Sequence, residues 1–173
     1  MSASARAGDN CGLVVFGRRI LRSLPPKRGL EHIDAVLEAL HDLEPELIEP
    51  SYARAFQYIA SNTKKRSFVV ILTDLVDKDS SKELINSLRL LRPRHLPLVA
   101  TIGDRDLNAA VSTLPSNINE VFTQSAAEEI IHQRGSALRL VESLGGMALD
   151  VTTESLTPKL LEAYLRVKER GLL

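Results

Sequence analysis

A continuous apolar run, Phe68-Val-Val-Ile-Leu72, rich in β-branched residues and closed by polar residues at both ends, organises the chain. A strand with one wet face alternates polar and apolar positions, and this one does not. The pattern therefore predicts a central parallel strand covered by helices on both faces. Gly12-Leu-Val-Val-Phe16 reads as a second short buried strand. Gly17-Arg18 then turns it into Arg19-Ile-Leu-Arg-Ser-Leu24, an edge strand that Pro25-Pro26 stops. Leu96–Ile102 and Met147–Val151 complete the predicted strands.

Helical periodicity fills the intervals. Leu30, Ile33, Val36, Leu37, Leu40 and Leu43 share one face of a predicted helix over Leu30–Leu43. Ser51 offers a capping oxygen to a second helix with Tyr52, Ala55, Phe56 and Ile59 inward. Between them lies an acidic loop, Glu44 to Pro50, broken by two prolines. Ser80-Ser-Lys-Glu83 matches a capping box ahead of Leu84, Ile85, Leu88 and Leu91, and Pro93 ends that helix. Asp104 to Leu114 reads as a short helix, and Pro115 to Phe122 as a loop. A long helix from about Ser125 to Leu144 stops at Gly145-Gly146. Thr157-Pro158 opens the last helix, which runs to near Gly171. Strand-helix-strand units of this kind require parallel pairing. The prediction is an α/β fold of one domain over residues 11–173, behind a poorly ordered segment of residues 1–10.

Composition narrows the function classes. Lys+Arg and Asp+Glu balance at 22 each, and aromatics are 4% with no Trp, so neither a basic face nor a stacking platform for nucleic acid is expected. Cys11 is the one cysteine, which excludes an internal disulfide and fits a reducing, cytoplasmic compartment. No apolar run approaches the length that spans a bilayer. His32, His41, His95 and His132 are scattered without zinc-ligand spacing, and neither a phosphate-cradling Gly-rich loop nor a nucleophile elbow occurs.

The candidate chemistry lies after the central strand. Asp74 stands where ligands bind in open α/β sheets, at the carboxyl edge. One carboxylate with the hydroxyls of Thr73 and Ser51 offers oxygen ligands of the kind Mg²⁺ takes, and the same residues also suit a loop and a helix cap. Asp104 and Asp106 follow the neighbouring strand, so a metal-dependent phosphohydrolase-like site built from Asp74, Asp104 and Asp106 is the enzymatic alternative. Carboxylates at a helix N-terminus are equally expected as caps.

Two groups of segments carry a resemblance. One is Gly12-Leu-Val-Val-Phe-Gly17 with Leu24-Pro-Pro-Lys-Arg-Gly29 and Leu37-Glu-Ala-Leu-His-Asp-Leu-Glu-Pro45. The other is Leu72-Thr-Asp-Leu-Val-Asp77 with Arg94-His-Leu-Pro-Leu98 and the tail around Leu156-Thr-Pro158, Tyr164 and Arg170-Gly-Leu172. Together they resemble, from about Gly8 onward, the C-terminal half of the bacterial family called domain of unknown function 58. The resemblance implies a von Willebrand factor A-like or Rossmann-like doubly wound, mostly parallel sheet with an antiparallel edge hairpin. It implies a partial metal-ion-dependent adhesion site in which Asp74 and Ser51 are the metal residues and Mg²⁺ the ion. The Asp-x-Ser-x-Ser loop of that site has no counterpart, so the first strand and first helix are expected to be missing. That strand would lie between the Gly12–Phe16 and Phe68–Leu72 strands, which must then pair directly or leave apolar edges open to association. The resemblance further implies a non-enzymatic protein-binding module. Its partner would be a MoxR-type AAA+ ATPase or that ATPase's client, in protein assembly or maturation, with full-length relatives anchored in a membrane.

Overall fold

The computed structural model describes the chain except residues 42, 45–48, 75–77, 93 and 104 and the side chains of 78–80 and 105. Most of the predicted acidic loop, the Pro93 helix stop and Asp104 therefore lie outside the described residues. The elements run α1 (Ser2–Arg6), β1 (Cys11–Phe16), β2 (Ile20–Lys27), α2 (Leu30–His41), α3 (Tyr52–Asn62) and β3 (Phe68–Thr73). They continue with α4 (Lys78–Leu91), β4 (Leu96–Ile102), α5 (Arg105–Ser112), α6 (Ile118–Ser143), β5 (Met147–Val151) and α7 (Thr153–Glu169).

The strands form two separate sheets. β1 and β2 pair antiparallel, while β3, β4 and β5 form a parallel sheet in that order. The chain is thus a mixed α/β protein with a parallel three-stranded sheet and an antiparallel two-stranded one. Among the described residues β1 and β3 do not pair, so each keeps one open edge.

This corrects the placement of the apolar run. Phe68–Thr73 is an edge strand, and β4 is the central one, buried from Pro97 through Thr101. Both strands are apolar because the faces of a parallel sheet are meant to be covered, so composition alone could not rank them. Parallel register sets Ile71, Val99 and Ala148 in one row across the sheet. That row packs on α3, α4 and α6 through Phe56, Leu84, Leu88, Leu138 and Val141. The rows Val70–Leu98–Met147 and Leu72–Ala100–Leu149 point to the opposite face. There α7 covers Leu98 and Ala100 with Leu156, Leu160 and Ala163, but Val70 and Leu72 remain 40% and 55% exposed.

Several boundaries differ from the sequence reading for local reasons. β2 continues through Pro25 and Pro26 to Lys27, because only one side of an edge strand needs amide donors. α6 begins at Ile118 instead of near Ser125. The side chain of Asn117 accepts from the Glu120 amide while the Glu120 carboxylate accepts from the Ser116 amide, a reciprocal cap on residues assigned to a loop. α7 begins at Thr153, capped by the Thr152 and Ser155 pair, so Pro158 lies inside the helix. Gly145 holds the left-handed φ of +77° expected of the stop after α6. Of the predicted α2 face, Ile33 and Val36 are buried, whereas Leu30 and Leu37 are 64% and 58% exposed.

Asp9, near the N-terminus, contacts α7. Asp9 accepts hydrogen bonds from the Tyr164 hydroxyl and from Lys168 Nζ at 2.9 Å, fastening the end of α1 to α7. The Tyr164 and Lys168 hydrogen bonds hold the Asp9 carboxyl below the usual carboxylate range.

Candidate functional site

At the carboxyl end of β3 the chain brings together Thr73, Asp74 and the N-terminus of α3. Tyr52 is fully buried, and its hydroxyl lies 2.5 Å from Thr73 Oγ1. Its ring stands edge-on to Phe16 at 5.7 Å, so one side chain touches the ends of both β1 and β3. The Ser51 amide donates to the Gly17 carbonyl at 2.9 Å, which fixes the hairpin turn against the start of α3.

Ser51 occupies the N-cap position of α3, but its side chain does not cap the helix. Its hydroxyl donates to Glu83 Oε1 at 3.3 Å, and the same oxygen accepts from the Ala53 amide at 3.3 Å. Glu83 of α4 therefore supplies the cap of α3, a carboxylate placed where the helix dipole favours it. The predicted Ser80–Glu83 capping box is not the start of α4, which already begins at Lys78. Its glutamate is used across the helix pair instead.

The predicted metal residues sit at one sheet edge without forming a shared donor set. Asp74 is exposed, the Ser51 hydroxyl is committed to Glu83, and the Thr73 hydroxyl to Tyr52. Among the described residues no group of three His, Cys, Asp or Glu side chains converges to hold an ion. Mg²⁺ is held by one or two carboxylates and keeps several waters, so the described side chains here offer one exposed carboxylate, Asp74, and at most part of such a site. Asp106 lies in the first turn of α5, exposed and with an interaction of its own, and Asp104 lies outside the described residues.

One buried charge at this end of the sheet escaped the sequence reading. Arg134 of α6 is 4% exposed and pairs through Nε with Asp150 Oδ2 at 3.3 Å. Thr101 Oγ1 donates to the other carboxylate oxygen at 3.5 Å. Gly103 makes room for it, since a Cβ there would stand 3.2 Å from Arg134 Nη2. Arg134 follows Gln133 in a helix of mixed polarity, and no spacing pairs it with a residue sixteen positions on. His95 is a second buried ionisable side chain, 3% exposed. Both ring nitrogens lack a hydrogen-bond partner, and burial, with Arg94 beside it, pushes the imidazole pKa down.

Among the described residues no helix is long and apolar enough to cross a membrane. The profile of the family described as "Protein of unknown function DUF58" matches residues 2–117, well over half of the chain and including Ser51, Asp74 and Glu83. No curated protein and no solved structure matches the chain. The chain belongs to the DUF58 family.

Proposed function

We propose, with membership of the DUF58 family as the premise, that this chain is a non-enzymatic protein-binding module. It acts with a MoxR-type AAA+ ATPase, or with that ATPase's client, in protein assembly or maturation. The partner class comes from the family resemblance; the binding role is carried by one observation, the amount and kind of surface left open.

The accessible surface is 11060 Å². A compact monomer of this mass exposes about 8,400 Å². The excess, roughly 2,700 Å², exceeds the roughly 800 Å² that each partner buries in an ordinary protein–protein interface. Its apolar part includes Val70 and Leu72 on β3 and Leu30, Leu37 and Leu40 on α2. Exposed apolar side chains on these elements cost free energy in water, and larger apolar patches are characteristic of interaction sites. The hydroxyls beside Asp74 are held in structural hydrogen bonds, which favours a surface role for that edge over a nucleophilic or metal-activating one.

The test is sedimentation velocity of the chain mixed with a MoxR-type ATPase encoded by the same genome, with and without ATP. A stoichiometric complex that tolerates Asp74→Asn supports the reading. Absence of a complex in either nucleotide state, together with a phosphatase activity lost in Asp74→Asn, would replace it with the enzymatic alternative.

A further inference from the structure

The neutral total of the chain hides a segregation of charge. Residues 106–133 carry four carboxylates, Asp106, Glu120, Glu128 and Glu129, and no lysine or arginine. Residues 10–30 carry five cations, Arg18, Arg19, Arg22, Lys27 and Arg28, and no carboxylate. All of these side chains are exposed. The acidic stretch is also where α6 leaves the sheet. α6 has 26 residues and spans about 39 Å, whereas the 5 residues of β5 that follow it span about 17 Å. Arg134 of α6 meets Asp150 near the carboxyl end of β5, and the turns before Arg134 run on past that end. Within residues 118–133 only Ala127 is buried.

The overhanging turns form an arm with α5. Gln124 Nε2 donates to the Val111 carbonyl at 3.1 Å, tying the two helices together near the tip. Polar groups at the tip are used internally. Asn117 and the Glu120 carboxylate accept from the Glu120 and Ser116 amides, and Thr113 and Thr123 donate to carbonyls one turn back. The apolar side chains face water instead. Ile118, Val121 and Phe122 share one helix face by their spacing and are 74%, 46% and 71% exposed. Leu114, just before the turn, is 89% exposed. A capped, hydrogen-bonded tip with apolar residues turned outward is a preorganised binding surface.

We propose that the arm of one copy of this chain docks on the β1–β2 hairpin of a second copy. Charge complementarity selects this occupant. Arg22, Lys27 and Arg28 bracket Pro25 and Pro26, with Leu30 just beyond, and all are exposed. An apolar strip among cations thus complements an apolar tip among carboxylates. A phenylalanine laid on prolines beside a guanidinium gains apolar contact and a cation–π interaction. An anionic bilayer is disfavoured, because the arm has no lysine or arginine of the kind that holds amphipathic helices to lipid. The contact joins two different surfaces, so either one can be removed without the other. It goes beyond the ATPase reading and stands without it, since it needs no other protein.

The test is sedimentation velocity of the full chain at about 50 mM salt, from roughly 10 μM to 1 mM protein, a range suited to a small, charge-assisted contact. Assembly that grows with concentration, and weakens about tenfold at roughly 500 mM salt, is expected. Phe122→Glu removes the arm, and Arg22→Glu with Lys27→Glu removes the hairpin surface; each alone should be monomeric. An equimolar mixture of the two variants should recover a one-to-one dimer and nothing larger, because one supplies an intact arm and the other an intact hairpin. Leu140→Glu, at an exposed leucine of α6 outside the arm, should assemble like the parent. A monomeric parent across this range overturns the proposal. So does unchanged assembly of Phe122→Glu with the parent's melting curve, or of Ile118→Glu, the second arm variant if the first melts early. Variants that fold like the parent, are monomeric alone and stay monomeric when mixed overturn it too, since arm and hairpin then do not meet. Binding of the parent to phosphatidylserine vesicles, lost in Phe122→Glu, would assign the arm to lipid and likewise overturn it.

Discussion

Tyr52 is the side chain that links the ends of the two sheets, and replacing it gives a graded prediction. The residue is 1% exposed and touches Phe16, Phe56 and Thr73. A buried aromatic removes about 150–250 Å² from water, worth about 4–6 kcal/mol at ~25 cal/mol per Å². Because the unfolded chain already hides part of that area, Tyr52→Ala should cost about 3–5 kcal/mol, in the range seen for aromatic truncations. Tyr52→Phe keeps the ring and loses the hydroxyl, leaving Thr73 to find another partner, and should cost about 1 kcal/mol. Against a typical total stability of about 5–15 kcal/mol, the alanine variant comes close to the margin and the phenylalanine variant does not. Urea denaturation followed by circular dichroism separates the two. Brief trypsin treatment adds a local readout, since cleavage at Arg18 and Arg19 in the hairpin turn should accelerate in Tyr52→Ala before the parallel sheet is lost. The reasoning fails if Tyr52→Ala costs under about 1 kcal/mol, or if Tyr52→Phe costs as much as Tyr52→Ala.

Two other perturbations follow. His95→Leu removes a buried imidazole with two unpaired nitrogens and should raise stability by about 1 kcal/mol. The folded chain resists protonating His95 whereas the unfolded chain takes up a proton near pH ~6.5, so its contribution is full above that pH and is lost as pH falls toward the lowered folded pKa. Melting of the parent between about pH 7 and 5 should therefore slope downward, and His95→Leu should flatten that slope; a leucine variant that melts lower with the slope intact contradicts this. Millimolar Mg²⁺ should leave the melting temperature of both the parent and Asp74→Asn unchanged, because the hydroxyls beside Asp74 are engaged elsewhere. Saturable calorimetric binding abolished by Asp74→Asn would show a donor set that the described side chains do not make.

The sequence resolved elements whose signal is local and left open those decided by neighbours. β4 and β5 fall on the predicted residues because apolar runs bounded by breakers define them. The αL stop at Gly145 is equally local. The rank of β3 was not legible, since a central and an uncovered apolar strand have the same composition and differ only in what lies beside them. At the candidate site, the Tyr52–Thr73 hydrogen bond brings the start of α3 beside Asp74, but the partner of Ser51 was not legible in the sequence. Glu83 reads locally as the far end of a capping box, and only the packing of α3 on α4 turns it toward Ser51 and Ala53. The Asn117–Glu120 cap was readable and was masked by the polar, proline-containing stretch around it. Arg134 and Asp150 pair across two elements, beyond the reach of any spacing rule.

The central claim is that β3, with Val70 and Leu72 exposed, belongs to a surface that a protein partner covers. Hydrogen exchange resolved to single amides tests it directly, comparing Phe68–Thr73 with Leu96–Ile102 in the free chain and after addition of the ATPase. The account predicts slow exchange throughout β4. It predicts near-loop rates at those β3 amides that do not face β4, slowing at least tenfold in the complex. Uniform protection of β3 in the free chain, or β3 amides that exchange at the same rate with the partner bound, would contradict it.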